Sequence, residues 1–400
     1  STRTTSIWGT DQRLSSAHAA LANGTQVQGF ELDDVHRQGV LHVGAVTLPA
    51  LIAVAESHAH FAGRDFLTAA VAGYEIGPRV GLCMGQEHIG QGWHSGATVG
   101  IFSAAAGAAR ALKLDREQTV HALGIAGTQS SGLMAAQYGA MVKRMHASRA
   151  AQSGLYAALL AANGFTGIVD IFEAPYGGFC TTFSRSQSRF NVAELSAGLG
   201  ERFETMWISL KFHACVGSNH TTLDAIADIR RRRPFTLEQI EQVVVHGSQV
   251  TVDHVGWPYK PEGLTAAQLN LPFCVATLLI EGDVFVDQFK PACVDDPARI
   301  ALSRKVNVVH DPAITALGAG HRHKVRVEIR FRDGSVERET REAPRGSEQC
   351  FASAGDIVTK FRKLTRAVMA EKQQDALIEA VLGVDELDDS RSLIELLRVT

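Results

Sequence analysis

The stretch Gln137 to His146 sets Tyr138, Lys143, Arg144 and His146 close together between two runs rich in Ala, Gly and Leu. Small-residue helices bury easily, and cations placed among them are costly unless something anionic meets them. That combination predicts a carboxylate-binding acid/base site; a solvated turn between two helices is the other reading. A second cluster holds Glu31, Asp33, Asp34, His36 and His42, in a segment that Gly24 and Gly39 mark as irregular. Carboxylates beside imidazoles can tune a histidine for proton transfer near neutral pH. The same residues could ligate a metal, or Asp33 or Asp34 could cap a helix with His36 at the surface. A third, Gly90 to Gly100, brings His94 and Ser95 to the glycine-rich approach of a small-residue helix, whose free N–H groups suit a carboxylate or phosphate. The fourth, Lys211 to His220, carries Lys211, His213, Cys215 and His220. It reads as the wall of an interdomain cleft, or as a linker into a helix capped by Ser218 or Asn219. A lone cysteine such as Cys215 is more often buried than nucleophilic.

Several chemistries are not indicated. The glycine-rich segment lacks the Gly-Lys-Ser/Thr ending of a P-loop, and no dinucleotide fingerprint or hydrolase nucleophile elbow occurs. The chain has 400 residues, 45% of them hydrophobic and 20% charged, with a formal net charge of −3. That is the composition of a globular enzyme with room for two domains, and it argues against nucleic-acid binding through a basic surface. The run Arg230 to Arg233 reads as a helix C-terminus favoured by the dipole. The six cysteines are widely spaced with no Cys-x-x-Cys pair, so no zinc or iron–sulfur site is expected. Free buried thiols suit a cytoplasmic protein, and no apolar run is long enough to predict a membrane span.

The elements that must position these residues are mostly helical up to about Leu210. His18 to Gly24 reads as a helix ending at Asn23-Gly24. Leu48 to Glu56, Leu67 to Glu75, Ser103 to Leu112, His121 to Ile125 and Ala150 to Ala162 continue at helical spacing, with Asn163-Gly164 as a stop. After Lys211 one helix, Thr221 to Arg231, precedes strands at Ile240 to Gly247, Lys305 to His310 and Lys324 to Arg332. Asp333-Gly334 signals a hairpin into Ser335 to Thr340. Helices return at Ile357 to Met369 and Gln374 to Leu382. The expected fold is mainly α with an α+β insertion: a discontinuous all-helical domain over 1–210 and 345–400, and an α+β domain over 211–344.

Taken in order, these segments resemble the MmgE/PrpD family from end to end. Ala19 to Gly24, Glu31 to His36 and His42 are similar to its early signature. His94-Ser-Gly, Gly124 to Gly127, Lys143 to His146, Gly164 to Gly167, Lys211 with His220, Leu271 to Phe273 and Pro344 to Gly346 continue it. The resemblance implies a large helical domain, a smaller chorismate-mutase-like α/β domain, a cleft between them and a homodimer. It implies neither a metal nor an organic cofactor. It also implies a helical segment preceding the residue where this chain starts. Members act on small polycarboxylates as 2-methylcitrate dehydratases, cis-aconitate decarboxylases and iminodisuccinate epimerases. Their common step is proton transfer beside a carboxylate, which needs cations for the growing charge and a tuned acid/base pair.

Carried over by position, His42, His94, Lys143 and Lys211 match site residues of related enzymes, and Asp34 lies in the matching acidic motif. His42 and Tyr138 are then candidate proton donors or acceptors, with Lys143 and Lys211 holding substrate carboxylates and Asp34 orienting a histidine. His94 joins the catalytic set; Ser95, Arg144, His146 and His220 complete the substrate-binding set. The dehydratase-like pattern has a threonine where this chain has Val35 and an arginine where it has Gly217, so an unmodified citrate-type substrate is disfavoured. The leading expectation is a cofactor-independent lyase of the 2-methylcitrate dehydratase type acting on a di- or tricarboxylate. An epimerase working by two-base proton transfer comes next. A cis-aconitate-type decarboxylase or a non-catalytic carboxylate-binding paralogue follows.

Overall fold

The computed structural model describes residues 4–57, 60–85, 87–138 and 140–398, without the side chains of Tyr138 and Ala319. Strands β1 (Thr4–Ser6) and β2 (Arg13–Ser15) pair antiparallel and lead into α1 (Ser16–Gln28). The Asn23-Gly24 stop expected from sequence does not end this helix. Gly24 lies inside it, buried, where an added Cβ would fall 2.8 Å from Ser148 Cβ and 2.9 Å from Ser148 Cα. The missing side chain serves a close helix–helix approach, and tertiary packing overrides the local propensity.

Strand β3 (Asp34–His36) pairs antiparallel with β4 (Ile208–Leu210), Asp34 standing opposite Leu210. Between them run α2 (Val43–Ser57), α3 (Gly63–Met84), the short α4 (Glu87–Gly90) and α5 (Ser95–Thr98), α6 (Gly100–Ala111), α7 (Arg116–Gly127), α8 (Val142–Ala162) and α9 (Phe179–Ser184). A capping box of Asp115 and Gln118 opens α7. Lys143, Arg144 and His146 fall in the first turns of α8, not in a turn between helices. At Gly154 an added Cβ would lie 2.6 Å from Ala104 Cβ, so α8 and α6 touch almost backbone to backbone. Asn163 and Gly164, the latter at φ +82°, follow α8 as expected.

Helix α10 (Gly217–Arg232) begins earlier than its sequence pattern suggested. Its cap is Val216, so Ser218 and Asn219 sit inside the first turn and are not caps. Strands β5 (Ile240–Gly247), β6 (Val306–His310), β7 (Val325–Phe331) and β8 (Val336–Arg341) form one sheet in the order β6-β5-β7-β8; only the β5/β6 pair is parallel. Along β7, Val325, Val327, Ile329 and Phe331 are buried and Arg326 and Arg330 exposed, as expected for one wet face. Gly334 turns the β7–β8 hairpin at φ +83°.

Within this part of the chain lie α11 (Gln249–Val255), α12 (Leu264–Leu269) and α13 (Leu271–Glu281). Three short helices, α14 (Pro291–Val294), α15 (Pro297–Ser303) and α16 (Pro312–Ala316), each open on proline, whose missing N–H costs nothing there. Last come α17 (Ala354–Thr365), α18 (Glu371–Leu382) and α19 (Arg391–Glu395). Leu377, Leu393 and Ile394 rejoin the apolar core built by α2, α6 and α8, while Ile226, Phe273 and the inward side of the sheet form a second core. The fold is mainly helical with a small sheet component. Among the described residues no helix is long and apolar enough to cross a membrane.

Candidate active site

The centre of the site is Glu31, in the turn between α1 and β3. Its backbone is left-handed at φ +54° and the residue is 1% exposed. A non-glycine residue held there is strained, and such strain persists only where surrounding contacts dictate it. Val40, at φ +50°, shapes the next turn. That turn is closed by reciprocal backbone bonds between His36 and Leu41, and it delivers His42. His36 itself is structural: its ring bonds the Gly39 N–H and faces Glu204 at 3.1 Å.

Three cations converge on Glu31 from two directions. Lys143 Nζ donates to Oε1 at 2.7 Å, and Arg144 bonds the same oxygen. Lys211 Nζ donates to Oε2 at 2.7 Å and to Asp33 Oδ1 at 2.9 Å. Lys211 is placed by the β3–β4 pairing, since its own N–H bonds the Asp33 carbonyl. Arg144 reaches across to Gln268 of α12 at 2.6 Å, tying the helical part to the sheet-bearing part. His42 Nδ1 lies 2.8 Å from Asp33 Oδ2 and 3.5 Å from Lys211 Nζ.

Burial and charge act against each other here. Burial pushes the Glu31 and Asp33 carboxyls up, but Lys143, Lys211 and Arg144 around Glu31, and His42 and Lys211 around Asp33, outweigh it and hold both below the usual range. The two lysines separate. Burial lowers Lys143, and Glu31 only partly restores it; for Lys211 the two carboxylates together overcome burial and raise it. Lys211 is thus a fixed cation, and Lys143 is the more readily deprotonated of the pair.

His94, just before α5, and His146 of α8 complete the wall. Their rings lie 4.9 Å apart, and those of His42 and His94 lie 6.4 Å apart. Burial, then the Lys143 charge, lowers both His94 and His146, and neither Nδ1 has a hydrogen-bond partner among the described residues. Buried imidazole nitrogens left open in this way can serve a ligand. Ser95 is buried as the first residue of α5.

Other sequence-predicted residues are placed differently. Asp34 does not orient a histidine. Its carboxylate accepts from the Gly44 N–H and from the Tyr74 hydroxyl, each at 2.7 Å, and so anchors the start of α2. Burial leaves Asp34 raised, opposite to its neighbour. Asp33, one residue before β3, takes the position beside His42 instead. His220 packs in α10 with its ring nitrogen 3.1 Å from the Cys215 carbonyl, lowered to about 3 by burial and then by His213. The Tyr138 side chain lies outside the described residues. Sequence reasoning placed Glu31 and Asp33 in the acidic cluster without giving either a role in the expected site, and it did not single out Gln268 or Lys360, whose amine donates to the Leu32 carbonyl and is lowered to about 8 by burial. The acidic run containing Glu31 and Asp33 was the available signal.

Glu31, Asp33 and His42 bring their ligand atoms within 4.8 Å of one another, the spacing of a metal site. The Lys211 ammonium bonds both carboxylates from that space, as an ion would, and makes the trio a seat for the lysine. With all five groups ionised, three cations face two carboxylates, leaving one positive charge to welcome an anion.

A buried cluster of cations and carboxylates beside imidazoles with open nitrogens, set where a helical body meets a small mixed sheet, has the charge and donors to meet an anion. Comparison with known proteins narrows that reading: the MmgE/PrpD N-terminal domain matches residues 1–191 and the MmgE/PrpD C-terminal domain residues 213–386. The chain belongs to the MmgE/PrpD family. It is 36% identical to the cis-aconitate decarboxylase-like protein oryM of Aspergillus oryzae, over 98% of this chain and 84% of that protein. It is 35% identical to the cis-aconitate decarboxylase of Aspergillus terreus, over 98% and 83%. To the human cis-aconitate decarboxylase it is 26% identical, over 98% and 82%.

Proposed function

We propose that this protein is a cofactor-independent lyase that decarboxylates a small unsaturated polycarboxylate of the cis-aconitate type. The observation that carries the reading is the convergence of Lys143, Arg144 and Lys211 on Glu31 beside the His42–His94–His146 row. In such a reaction the bond to the departing carboxylate breaks and carbon dioxide leaves. The electron pair moves into conjugation with the retained carboxylates, the double bond shifts, and a proton is added at the far carbon. Lys143 and Lys211 stabilise the charge gathering on the retained carboxylates. His42, held at Nδ1 by Asp33, presents Nε2 for the proton, and His94 is the alternative donor. Relatives at 34–36% identity, named as cis-aconitate decarboxylases or similar to one, move this reaction ahead of the dehydration that sequence reading placed first.

Proton NMR in D₂O with cis-aconitate, methylcitrate, citrate and iminodisuccinate separates the reactions. Carbon dioxide release with one deuterium in the product methylene supports decarboxylation. New unsaturation without carbon dioxide moves the assignment to a dehydratase. Exchange alone moves it to an epimerase, and no change in any acid to a carboxylate-binding protein.

The working domain map is 1–210 with 345–400 against 211–344. Two copies of the chain are proposed to associate, because Met141, Met145, Tyr156 and Leu160 expose apolar surface along one side of α8. Light scattering at the mass of one chain would refute this.

A further inference from the structure

Next to the Glu31 centre lies a second polar cluster for which the proposed reaction has no assigned use. Ser218, in the first turn of α10, has its hydroxyl 3.3 Å from His254 Nδ1 and 3.4 Å from His323 Nε2. The other nitrogen of His323 lies 3.4 Å from Arg37 Nη1, and Arg37 is paired with Glu348. Ser218, His323 and Arg37 are buried and His254 is half-buried. Arg37 also stands near enough to Arg322 to act on it: burial and then the Arg37 charge bring Arg322 down to about 10. Val216, just before Gly217 and Ser218, donates its N–H to the Gln268 carbonyl at 3.1 Å, and the Gln268 side chain accepts from Arg144 at 2.6 Å, so the cluster adjoins the Glu31 centre.

Two features set this cluster apart from a packed polar core. A hydrogen bond between nitrogen and oxygen usually spans about 2.7–3.2 Å; the Ser218 hydroxyl stands just beyond that from both rings, settled on neither. At Gly217, beside it, an added Cβ would meet nothing within 4 Å among the described residues, which leaves open space at the start of α10. Val216 offers no side-chain cap to the first N–H groups of that helix.

We infer that Ser218, His254 and His323, backed by Arg37 and Arg322, form a second carboxylate subsite that receives the substrate carboxylate farthest from Lys143 and Lys211. The inference rests on the polycarboxylate reading above and assigns selection of chain length and charge to this face. A carboxylate here takes N–H and O–H donors from three side chains, with guanidinium charge behind them. A shorter diacid held by the two lysines leaves the subsite unfilled.

The test is calorimetric binding of two unreactive acids, tricarballylate and the shorter succinate, to the full chain. The proteins compared are wild type, Ser218→Ala/His254→Ala, and Lys143→Ala. The wild type is expected to prefer tricarballylate. The double variant should weaken tricarballylate about tenfold or more and succinate less than about twofold, with a conservative His254→Gln chain recovering part of the preference. Equal weakening of both acids, or of neither, overturns the subsite, and a merely structural role would show as equal weakening with a lowered Tm. Lys143→Ala should weaken both acids; if it weakens neither, or if the wild type binds neither, the polycarboxylate reading itself falls.

Discussion

The two polar clusters are built to different tolerances. Around Glu31, lysine–carboxylate contacts of 2.7 to 2.9 Å, together with Arg144 on Glu31, lock five charged groups into one network, at the cost of a left-handed backbone at Glu31. Around Ser218, contacts run from 3.3 to 3.4 Å and involve mostly uncharged partners beside open space. Preorganised charge is what a transition state rewards, since no reorganisation is needed as charge develops. A looser set of donors suits recognition, which can adjust on binding. Substitutions in the first cluster should therefore act on turnover, and those in the second on which acid is bound.

The largest effect is expected at Lys143. Lys143→Ala should lower kcat by about 100-fold or more, because a cation facing developing charge is lost. A rise in KM with kcat unchanged would show that Lys143 binds substrate and transition state alike, and would dissolve the contrast. Asp33→Asn should lower kcat by roughly 10- to 100-fold and move the pH profile, since the partner orienting His42 is weakened. An unchanged profile would remove Asp33 from the chemistry.

The scaffold supplies a third test. Gly154→Ala forces a Cβ to within 2.6 Å of Ala104 Cβ, and overpacking of this kind costs about 1–3 kcal/mol. Urea unfolding should report that loss, while the carboxylate selectivity of the chain that remains folded stays the same.

Acid stability bears on the same contrast. Glu31 and Asp33 are held below their ordinary values of 4.5 and 3.8, so between those values and their folded ones the unfolded chain binds the protons first. Their stabilisation is complete above that ordinary range and is lost as pH falls through the folded values. Asp34 runs the other way, its raised carboxyl taking up a proton earlier in the folded chain. Unfolding of Glu31→Gln between pH 5 and pH 3 should show a flatter acid limb than the wild type; an unchanged limb would contradict the charge network. The smallest effect belongs to Tyr74→Phe, which removes one bond to Asp34 and should cost about 1 kcal/mol with kcat nearly unchanged. A large fall in kcat would return Asp34 to the catalytic set.

Much of the architecture was legible beforehand. The alternation in β7, the Asp333-Gly334 hairpin and the C-terminal helices follow from local periodicity and turn chemistry, which depend on near neighbours only. The end of α1 was not legible, because Gly24 is explained by Ser148, far away in sequence. The start of α10 was misread for a similar reason: Ser218 resembles a cap locally, yet its hydroxyl faces His254 and His323.

By itself the sequence determined which residues could do chemistry: lysines, histidines and carboxylates in separate short motifs, with the order of motifs identifying the family. Only the tertiary structure decided how they divide the work. Asp33 and Asp34 are chemically alike and adjacent, so nothing local separates them. The fold turns Asp33, just before β3, toward His42 and Lys211, and Asp34, the first residue of β3, toward Tyr74 and Gly44. Glu31 became the centre through a strained turn and three cations brought from far along the chain. Charge interactions depend on distance through space and on burial, and neither exists until the chain is folded.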